Sequence, residues 1–578
     1  MDLELTSDAS VVAPSDQGEG RLTGTDFAGC LVVLALVMGY LPTTGLSWDT
    51  PRVAALVGVL PVGAYFVVRL MLARDRAAVL ATVALLWMAL GSLLSESPGV
   101  SLKGAVGRWS NVLVYAAVVG LWAVGRAMTN KGRHTLAWAV AGAGAISAIF
   151  AIVQIVTRPT VFDMALEQNR PVGLAGNPIM FGAQMAAIAA FMAFVHCKRT
   201  SFWPLAGFAF FATAAALSGS RVALGAVLVI VVWALHARDV RRAAFLVPAV
   251  LVAALIGTAI HRLANTGQSA GERIGTSGVR DRLDLWSFAL RAWREHPVLG
   301  WGLGRFRPAT QGYYSDSWAG RFDDELTGAW MDAHNVVVEH LVTTGIIGVV
   351  LIATFVCVAV RGASGYGLWM ASAIAIGWML EPAALPTLGL AAWLLGAAAP
   401  RVGTLSTEGS TSKTRVLLGV LGFALAGSYV ANMAYVDRWL SPDANETSMP
   451  WFAPWLKADP IVSSSAASTH TLIDNTDPDV ERFVLVWAER TVDQEPDFPR
   501  WRAQLASKRL SAGDLKGAQL SAEEGLALQA NHPRSLEILQ IVALRLRDRE
   551  LFDVTTARLC RLEHPSCQLE WVDNPDGP

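Results

Sequence analysis

Four stretches of this chain set ionisable side chains against flanks that are almost wholly apolar. The first, "WMDAHNVVVEHLVTTGIIGVV" from Trp330 to Val350, places His334, Asn335, Glu339 and His340 at the seam where a polar segment gives way to an apolar run. "LSGSRVALG" puts Arg221 in a very short turn between two apolar runs, "GVRDRLDLW" offers Arg280 and Arg282, and "QNRPVGLAGNPIMFGAQ" offers Arg170 and Asn177. Guanidinium groups grip phosphate through paired hydrogen bonds and stay charged at any working pH, so arginines converging from separate loops can clamp a diphosphate. Histidine adds the one unshifted side chain that exchanges a proton near neutrality. Each residue also has a plainer reading. Arg221 alone fits an arginine snorkelling to a membrane interface, Arg280 and Arg282 fit a solvated helix start, and His334 fits a hydrogen bond to a carbonyl. His340, six residues beyond His334, reads as structural. No His, Cys and carboxylate set has metal-ligand spacing, so neither a catalytic metal nor another cofactor is expected.

These clusters need elements to position them, and composition says which. Of 578 residues 53% are hydrophobic and 16% charged, with 21 tryptophans, a balance outside the range of ordinary soluble domains. The mean hydropathy of +0.41 agrees. A formal charge of −1 gives no basic field for nucleic acid, and there is no Walker loop. The expected fold class is therefore all-α, a polytopic membrane bundle with contacts to membrane lipids.

Apolar stretches able to cross, or nearly so, fall at about 27–42, 53–73, 77–94, 111–128, 135–156, 178–196, 202–218, 222–236, 243–260, 336–359, 366–381, 385–399 and 415–433, some twelve to thirteen spans. Fifteen basic residues occupy alternate short loops (Arg69, Arg74 and Arg76, for example, then Arg126, Lys131 and Arg133), against six in the intervening ones, among them Arg158. Basic loops stay in the cytoplasm, so the N-terminus reads as cytoplasmic and, with an odd span count, the C-terminal region as outside. The first 26 residues carry six acids against Arg21 alone, which suits a cytoplasmic tail and not a cleaved signal peptide. The expected domains are this tail, a bundle over residues 27–434 that includes a large outer loop at 261–335, and a helical domain over 435–578.

The outer loop should contain a helix, since Leu283, Trp286, Leu290 and Trp293 follow helical spacing until Pro297. That spacing predicts one apolar face opposite Asp284, Arg291, Arg294 and Glu295, and "GWGLG" after it reads as a tight turn. In the tail, helix-turn-helix patterns begin at Pro499 and, thirty-four positions later, at Pro533, with a less regular unit near Asp477. That period is the one of tetratricopeptide-like helix pairs, which cap a fold or dock a protein partner. Cys560 and Cys567 lie seven apart and are equally compatible with a disulfide or two free thiols.

"LSGSRVALGAVLVIV", "RDRLDLWSFALRAWREHPVLGWGLGRF" and "HNVVVEHLVTTGIIGVVLIATF" resemble, in order and approximate spacing, the motifs of the O-antigen ligase-like family of bacterial membrane glycosyltransferases, over roughly residues 165 to 360. The family includes O-antigen ligases, O-antigen and exopolysaccharide polymerases, and protein O-oligosaccharyltransferases. The resemblance implies an inner-membrane enzyme that takes a glycan from undecaprenyl diphosphate at the periplasmic face and moves it to a hydroxyl on lipid A-core, another glycan or a protein. It implies a metal-independent inverting transfer in which Arg221 and Arg282, with Arg280 as the fallback, hold the diphosphate and His334 handles the acceptor proton. Asn335 would fix the imidazole or bind sugar, and Arg170 would contact diphosphate or glycan. Asn177 belongs to the expected substrate-binding set as well. "GNPIMFGA" departs from the glutamine-proline-asparagine pattern usual in the protein-glycosylating branch.

Overall fold

The computed structural model describes residues 24–38, 50–105, 109–157, 170–199, 201–237, 240–264, 278–322, 332–381, 383–400, 412–439, 460–469 and 478–571. Arg21 and the acids before residue 24, together with Arg158, Asp477 and the final seven residues, lie outside the described residues. Every regular element described is helical. In the first half these are α1 (Gly24–Met38), α2 (Thr50–Leu72), α3 (Arg76–Leu93), α4 (Pro98–Lys103), α5 (Val112–Ala127), α6 (Asn130–Thr157), α7 (Pro178–Lys198), α8 (Phe202–Leu217), α9 (Arg221–Ala237), α10 (Val240–Ala244) and α11 (Leu246–Ala264). The long segment after α11, expected from the sequence to be the outer one, holds α12 (Gly278–Glu295), α13 (Phe306–Gln311) and α14 (Asp316–Phe322). The bundle resumes with α15 (Val336–Val360), α16 (Tyr366–Trp378), α17 (Leu385–Ala398) and α18 (Ser412–Trp439). The tail holds α19 (Pro460–Thr469), α20 (Pro478–Gln494), α21 (Pro499–Ser511), α22 (Leu515–Leu528), α23 (Pro533–Leu546) and α24 (Arg549–Arg561).

Each of the twelve to thirteen expected apolar stretches overlaps helix among the described residues, with 39–42 of the first lying outside them. Seven helices among the described residues have the length and apolar composition to cross a membrane, and α5, α8, α9 and α17 are shorter apolar helices. The chain is thus an all-α polytopic membrane bundle. α7 runs through its middle, packed on α8, α9 and α16 and buried along most of its length. Its alanine-rich sequence explains the place, because small side chains let neighbouring backbones approach in a setting without a hydrophobic driving force between helices. At the end of the bundle opposite α12, Arg133 donates to the carbonyls of Ala397 at 2.8 Å and Ala399 at 3.2 Å, and Arg126 pairs with Asp75 at 2.8 Å. Arginines at that end serve the ends of helices.

α15 is broken within its apolar run, where Gly345 takes φ 67° and ψ 179°, a conformation open essentially to glycine alone. A break frees carbonyls, and backbone polar groups at membrane depth must find partners inside the protein. They do: the amides of Trp301 and Gly302 donate to Val342 and Thr343 at 2.9 and 3.0 Å, and the Trp87 indole donates to Thr344 at 3.0 Å. The amide of Ile346 returns a bond to the Pro297 carbonyl at 2.9 Å. The "GWGLG" turn is therefore a stitch across the gap. Gly300 (φ 72°) permits it, since a Cβ there would meet the Thr343 carbonyl carbon at 2.5 Å.

α12 forms as predicted, but its buried face differs. Leu285, Phe288, Ala289 and Ala292 are buried, whereas Leu283 is 56% and Leu290 42% exposed. The reason is tertiary: Phe306 and Trp318 from α13 and α14, with Leu536 and Leu559 from the tail, build the apolar partner on the other side. Trp286 and Trp293 serve through their indole N–H groups, donating to Ala333 at 2.8 Å and Pro297 at 3.1 Å.

The tail packs directly on this outer segment. The fully buried Arg305 guanidinium pairs with Glu495 and Asp497, and Asn531 donates to the Tyr314 carbonyl at 2.8 Å and to Asp316 at 3.1 Å. Helix pairs run Pro499–Ser511 with Leu515–Leu528 and Pro533–Leu546 with Arg549–Arg561. The unit expected near Asp477 is one helix, α20, that pairs with α19. Cys560 and Cys567 are joined by a disulfide, their Cα atoms 4.8 Å apart.

Candidate functional site

The loop before α15 is shaped by three short-range devices. Asp332 accepts the His334 amide at 2.8 Å, an Asx turn, and His334 itself sits at φ 49°, a left-handed conformation costly for a non-glycine residue. Asn335 caps α15, its Oδ1 accepting the amides of Val337 at 2.9 Å and Val338 at 3.0 Å. Glu339 reaches back to the Ala333 amide at 2.9 Å. Strain at His334 is thus over-determined by its surroundings, as strained functional positions require.

His334 is buried, and its Nδ1 lies 3.1 Å from Asp332 Oδ1, which leaves Nε2 as the nitrogen presented away from the carboxylate. Burial alone would lower the imidazole pKa. The Asp332 charge, its hydrogen bond and the Glu381 charge outweigh burial and the opposing Arg282, so the pKa is raised above its ordinary value. The imidazole is therefore held by Asp332, where Asn335 was expected either to fix it or to bind sugar. Asn335 has both ends committed elsewhere, to the cap and, through Nδ2, to the Met379 carbonyl at 2.9 Å. That second bond ties the start of α15 to the end of α16, two residues from Glu381.

Glu381 is the centre of the arrangement. Its Oε1 pairs with Arg282 at 3.3 Å, and both side chains are largely shielded, 16% exposed for the arginine and 10% for the carboxylate. Its Oε2 is buried with no hydrogen-bond partner among the described residues. Burial raises the Glu381 pKa, against the lowering effects of His334, Arg282 and Arg170. Those same influences place Arg170 in the cluster's field. Of the two arginine candidates in "GVRDRLDLW", Arg282 makes this pair, while Arg280 is exposed.

A small cleft opens beside Glu381, between α7, α9, α16 and the start of α17. Ile179, Met180, Val222, Ala223 and Trp378 give it apolar walls, and Ser220 and Glu381 contribute polar groups. Ser220 directly precedes Arg221 and caps α9, its Oγ accepting the Ala223 amide at 3.2 Å, while Ser218 closes the turn by accepting the Ser220 amide at 3.1 Å. Arg221 is half-buried at this cleft edge. On the opposite wall Asn177 caps α7, accepting the Ile179 amide at 2.8 Å, with Pro178 at the first helical position. Asn177 thus has a structural task at the rim.

Arg170, buried, begins a loop that is stapled from three sides. Gln154 Oε1 accepts the amides of Val172 at 3.2 Å and Gly173 at 3.1 Å, Ser147 accepts Leu174 at 2.9 Å, and Arg52 donates to the Leu174 and Ala175 carbonyls at 3.0 Å. The structure therefore brings His334, Arg282 and Arg170 into one electrostatic cluster, holds Arg221 between Ser220 and Val222, which line the adjoining cleft, and leaves Arg280 at the surface. Sequence reasoning missed Glu381, Asp332 and Arg52. An acid in "WMLEPAALP", between two apolar runs, is the signal that marks Glu381.

Fold and cluster together define a polytopic helical membrane protein with a polar site at one end of its bundle. Residues 206–353 match the family model described as O-antigen ligase, so over that stretch the chain is similar to the O-antigen ligase family. The matched segment contains Arg221, Arg282 and His334; Arg170, Glu381 and the tail lie outside it. The family points to a glycosyltransferase-like enzyme with glycan substrates. No curated protein sequence matches the chain.

Proposed function

We propose that this chain transfers a glycan from undecaprenyl diphosphate to an acceptor hydroxyl, at the periplasmic face of a bacterial inner membrane, with lipid A-core as the favoured acceptor. The observation that carries the proposal is the Arg282 and Glu381 pair beside His334, with Glu381 also lining a largely apolar cleft. An amphipathic donor needs both parts: an apolar surface for its prenyl chain and cations for its diphosphate.

The acceptor oxygen attacks the anomeric carbon, and its proton passes to His334 Nε2, the ring nitrogen on the side away from Asp332. The bond from the anomeric carbon to the phosphate oxygen breaks with inversion, and undecaprenyl diphosphate leaves with the electron pair. Arg221, Arg282 and Arg170 stabilise the charge that grows on the leaving group. No step calls for a metal, because guanidinium groups do that work. The tail, clamped onto the segment that carries Arg282, holds the site in shape in this reading, and its tetratricopeptide-like pairs leave an outer surface for a protein partner.

The test uses purified protein and undecaprenyl diphosphate-linked glycan, offered separately with lipid A-core, a second lipid-linked glycan and a peptide acceptor, beside His334→Ala. Transfer to lipid A-core that vanishes in the variant supports ligation. Transfer only to glycan or peptide makes the chain a polymerase or an oligosaccharyltransferase. Donor binding without transfer to any acceptor sinks the enzyme reading in favour of a lipid-linked glycan transporter.

A further inference from the structure

The Glu381 carboxylate has two oxygens with different circumstances. Oε1 is engaged by Arg282 at 3.3 Å, while Oε2 is buried and has no hydrogen-bond partner among the described residues, although the residue lines the cleft. A buried carboxylate oxygen without a donor is costly, and such a group in a native structure calls for an explanation. Three cations or potential cations face it from other elements: Arg282 on α12, Arg170 on the loop before α7, and His334 before α15, with Asp332 as the one opposing anion. A carboxylate among them would repel a diphosphate brought to the same point. The residue therefore suits a neighbouring, neutral part of the substrate that donates hydrogen bonds. A sugar hydroxyl is such a group, and a charge-assisted bond from a hydroxyl to a carboxylate is among the stronger ones available.

Resting on the glycosyltransfer reading above, we propose that Glu381 is a positioning residue with two hands, one oxygen orienting Arg282 toward the diphosphate and the other accepting a hydroxyl of the sugar attached to it. The sugar ring then sits between Glu381 and His334, with its diphosphate on the arginine side. This arrangement also gives discrimination. A site built around a buried acceptor rejects a ligand that lacks the matching donor, because the acceptor is left unpaired. The glycan-free carrier, which is the product, lacks that donor, so Glu381 favours the loaded carrier and helps the spent one depart.

The experiment compares wild type, Glu381→Gln and Glu381→Asp in detergent, measuring binding of undecaprenyl diphosphate with and without its glycan, and turnover with the loaded donor. Thermal unfolding of each variant checks the fold, and Glu381→Asp, which keeps the negative charge, serves if Glu381→Gln does not fold. Wild type should prefer the loaded carrier by about tenfold, the scale of one buried hydrogen bond. Either variant should lose more affinity for the loaded carrier than for the glycan-free one, erasing most of that preference. Equal losses for both ligands would show that Glu381 acts only through Arg282 and overturn the sugar contact, as would an unchanged preference. Because preference is read by binding, absence of transfer by wild type would count against the enzymatic reading without touching this one.

Discussion

Trp286 Nε1 donates to the carbonyl of Ala333 at 2.8 Å, so the helix that carries Arg282 and the loop that carries His334 are joined by one hydrogen bond, made one residue from the histidine. The two lie in separate motifs, and this bond helps set the distance between the groups proposed to bind phosphate and to accept the proton. Trp286→Phe keeps most of the ring and removes the donor. It should cost about 1 kcal/mol of stability and lower kcat severalfold, with donor binding little changed, since Arg282 keeps its pair with Glu381. Steady-state kinetics and donor binding check this. A variant with full kcat would show that the site does not depend on the join.

The pH dependence follows from Asp332. Burial pulls the His334 pKa down, but Asp332 and Glu381 together hold it above the ordinary 6.5, against Arg282. A histidine with a raised folded-state pKa is stabilised in its protonated form, a contribution lost as pH rises through that value. Proton acceptance needs the neutral form. The rate should accordingly climb with pH through an acid limb lying above the ordinary histidine value. Asp332→Asn removes the largest raising influence, so the limb should move to lower pH while the plateau falls through lost orientation. A kcat/KM profile for both proteins decides it, and an unmoved limb would exclude His334 as the titrating group.

Much of the bundle was legible because apolar runs bounded by charged turns are long-range statements that survive translation into structure: the expected apolar stretches overlap helices among the described residues. The site was legible in part. Arg282 and His334 sit in local motifs, but Glu381 is joined to Arg282 across 99 residues, and nothing around either one names the other. The buried face of α12 was misread for a similar reason. Apolar residues lie on more than one side of that helix, and Phe306, Trp318 and the distant Leu536 choose which side becomes core. Gly345 was hidden by its surroundings, since "TTGIIGVV" reads as an uninterrupted span until the carbonyls of the break are traced to Trp301, Gly302 and Trp87.

That break yields a sharp expectation. Gly345 holds φ 67° and ψ 179°, and a Cβ placed there would lie 2.0 Å from the Val298 carbonyl oxygen. Gly345→Ala therefore meets backbone strain of about 1–3 kcal/mol and a clash that forces the Pro297 to Gly302 stitch to open. Folded yield in detergent should drop sharply. Gly365→Ala, also at positive φ (80°) but with nothing within 4 Å of its Cβ, should suffer only the strain. Equal yields for the two variants would mean that the stitch is dispensable.

The tail's role turns on Arg305, 1% exposed and paired with Glu495, itself fully buried, and with Asp497. Glu495 is further engaged by the Trp501 indole at 2.7 Å, so the pair belongs to the tail's own core as well as to the loop that follows α12. Removing one partner of a buried pair costs about 3–5 kcal/mol, chiefly because the other charge is left uncompensated. Arg305→Ala should loosen the tail from the outer segment, which hydrogen exchange would read as faster exchange in α13, α20 and α21 together. Transfer should fall because α12 loses support through Phe306 and Leu536, while donor binding at the bundle's cleft persists. The same argument gives its own control. If uncompensated charge is the cause, adding Glu495→Gln and Asp497→Asn to Arg305→Met should recover much of the protection, since a neutral replacement of similar size avoids the penalty. Failure of that triple variant to recover would mean that the arginine's geometry, and not charge balance, fastens the tail to the loop.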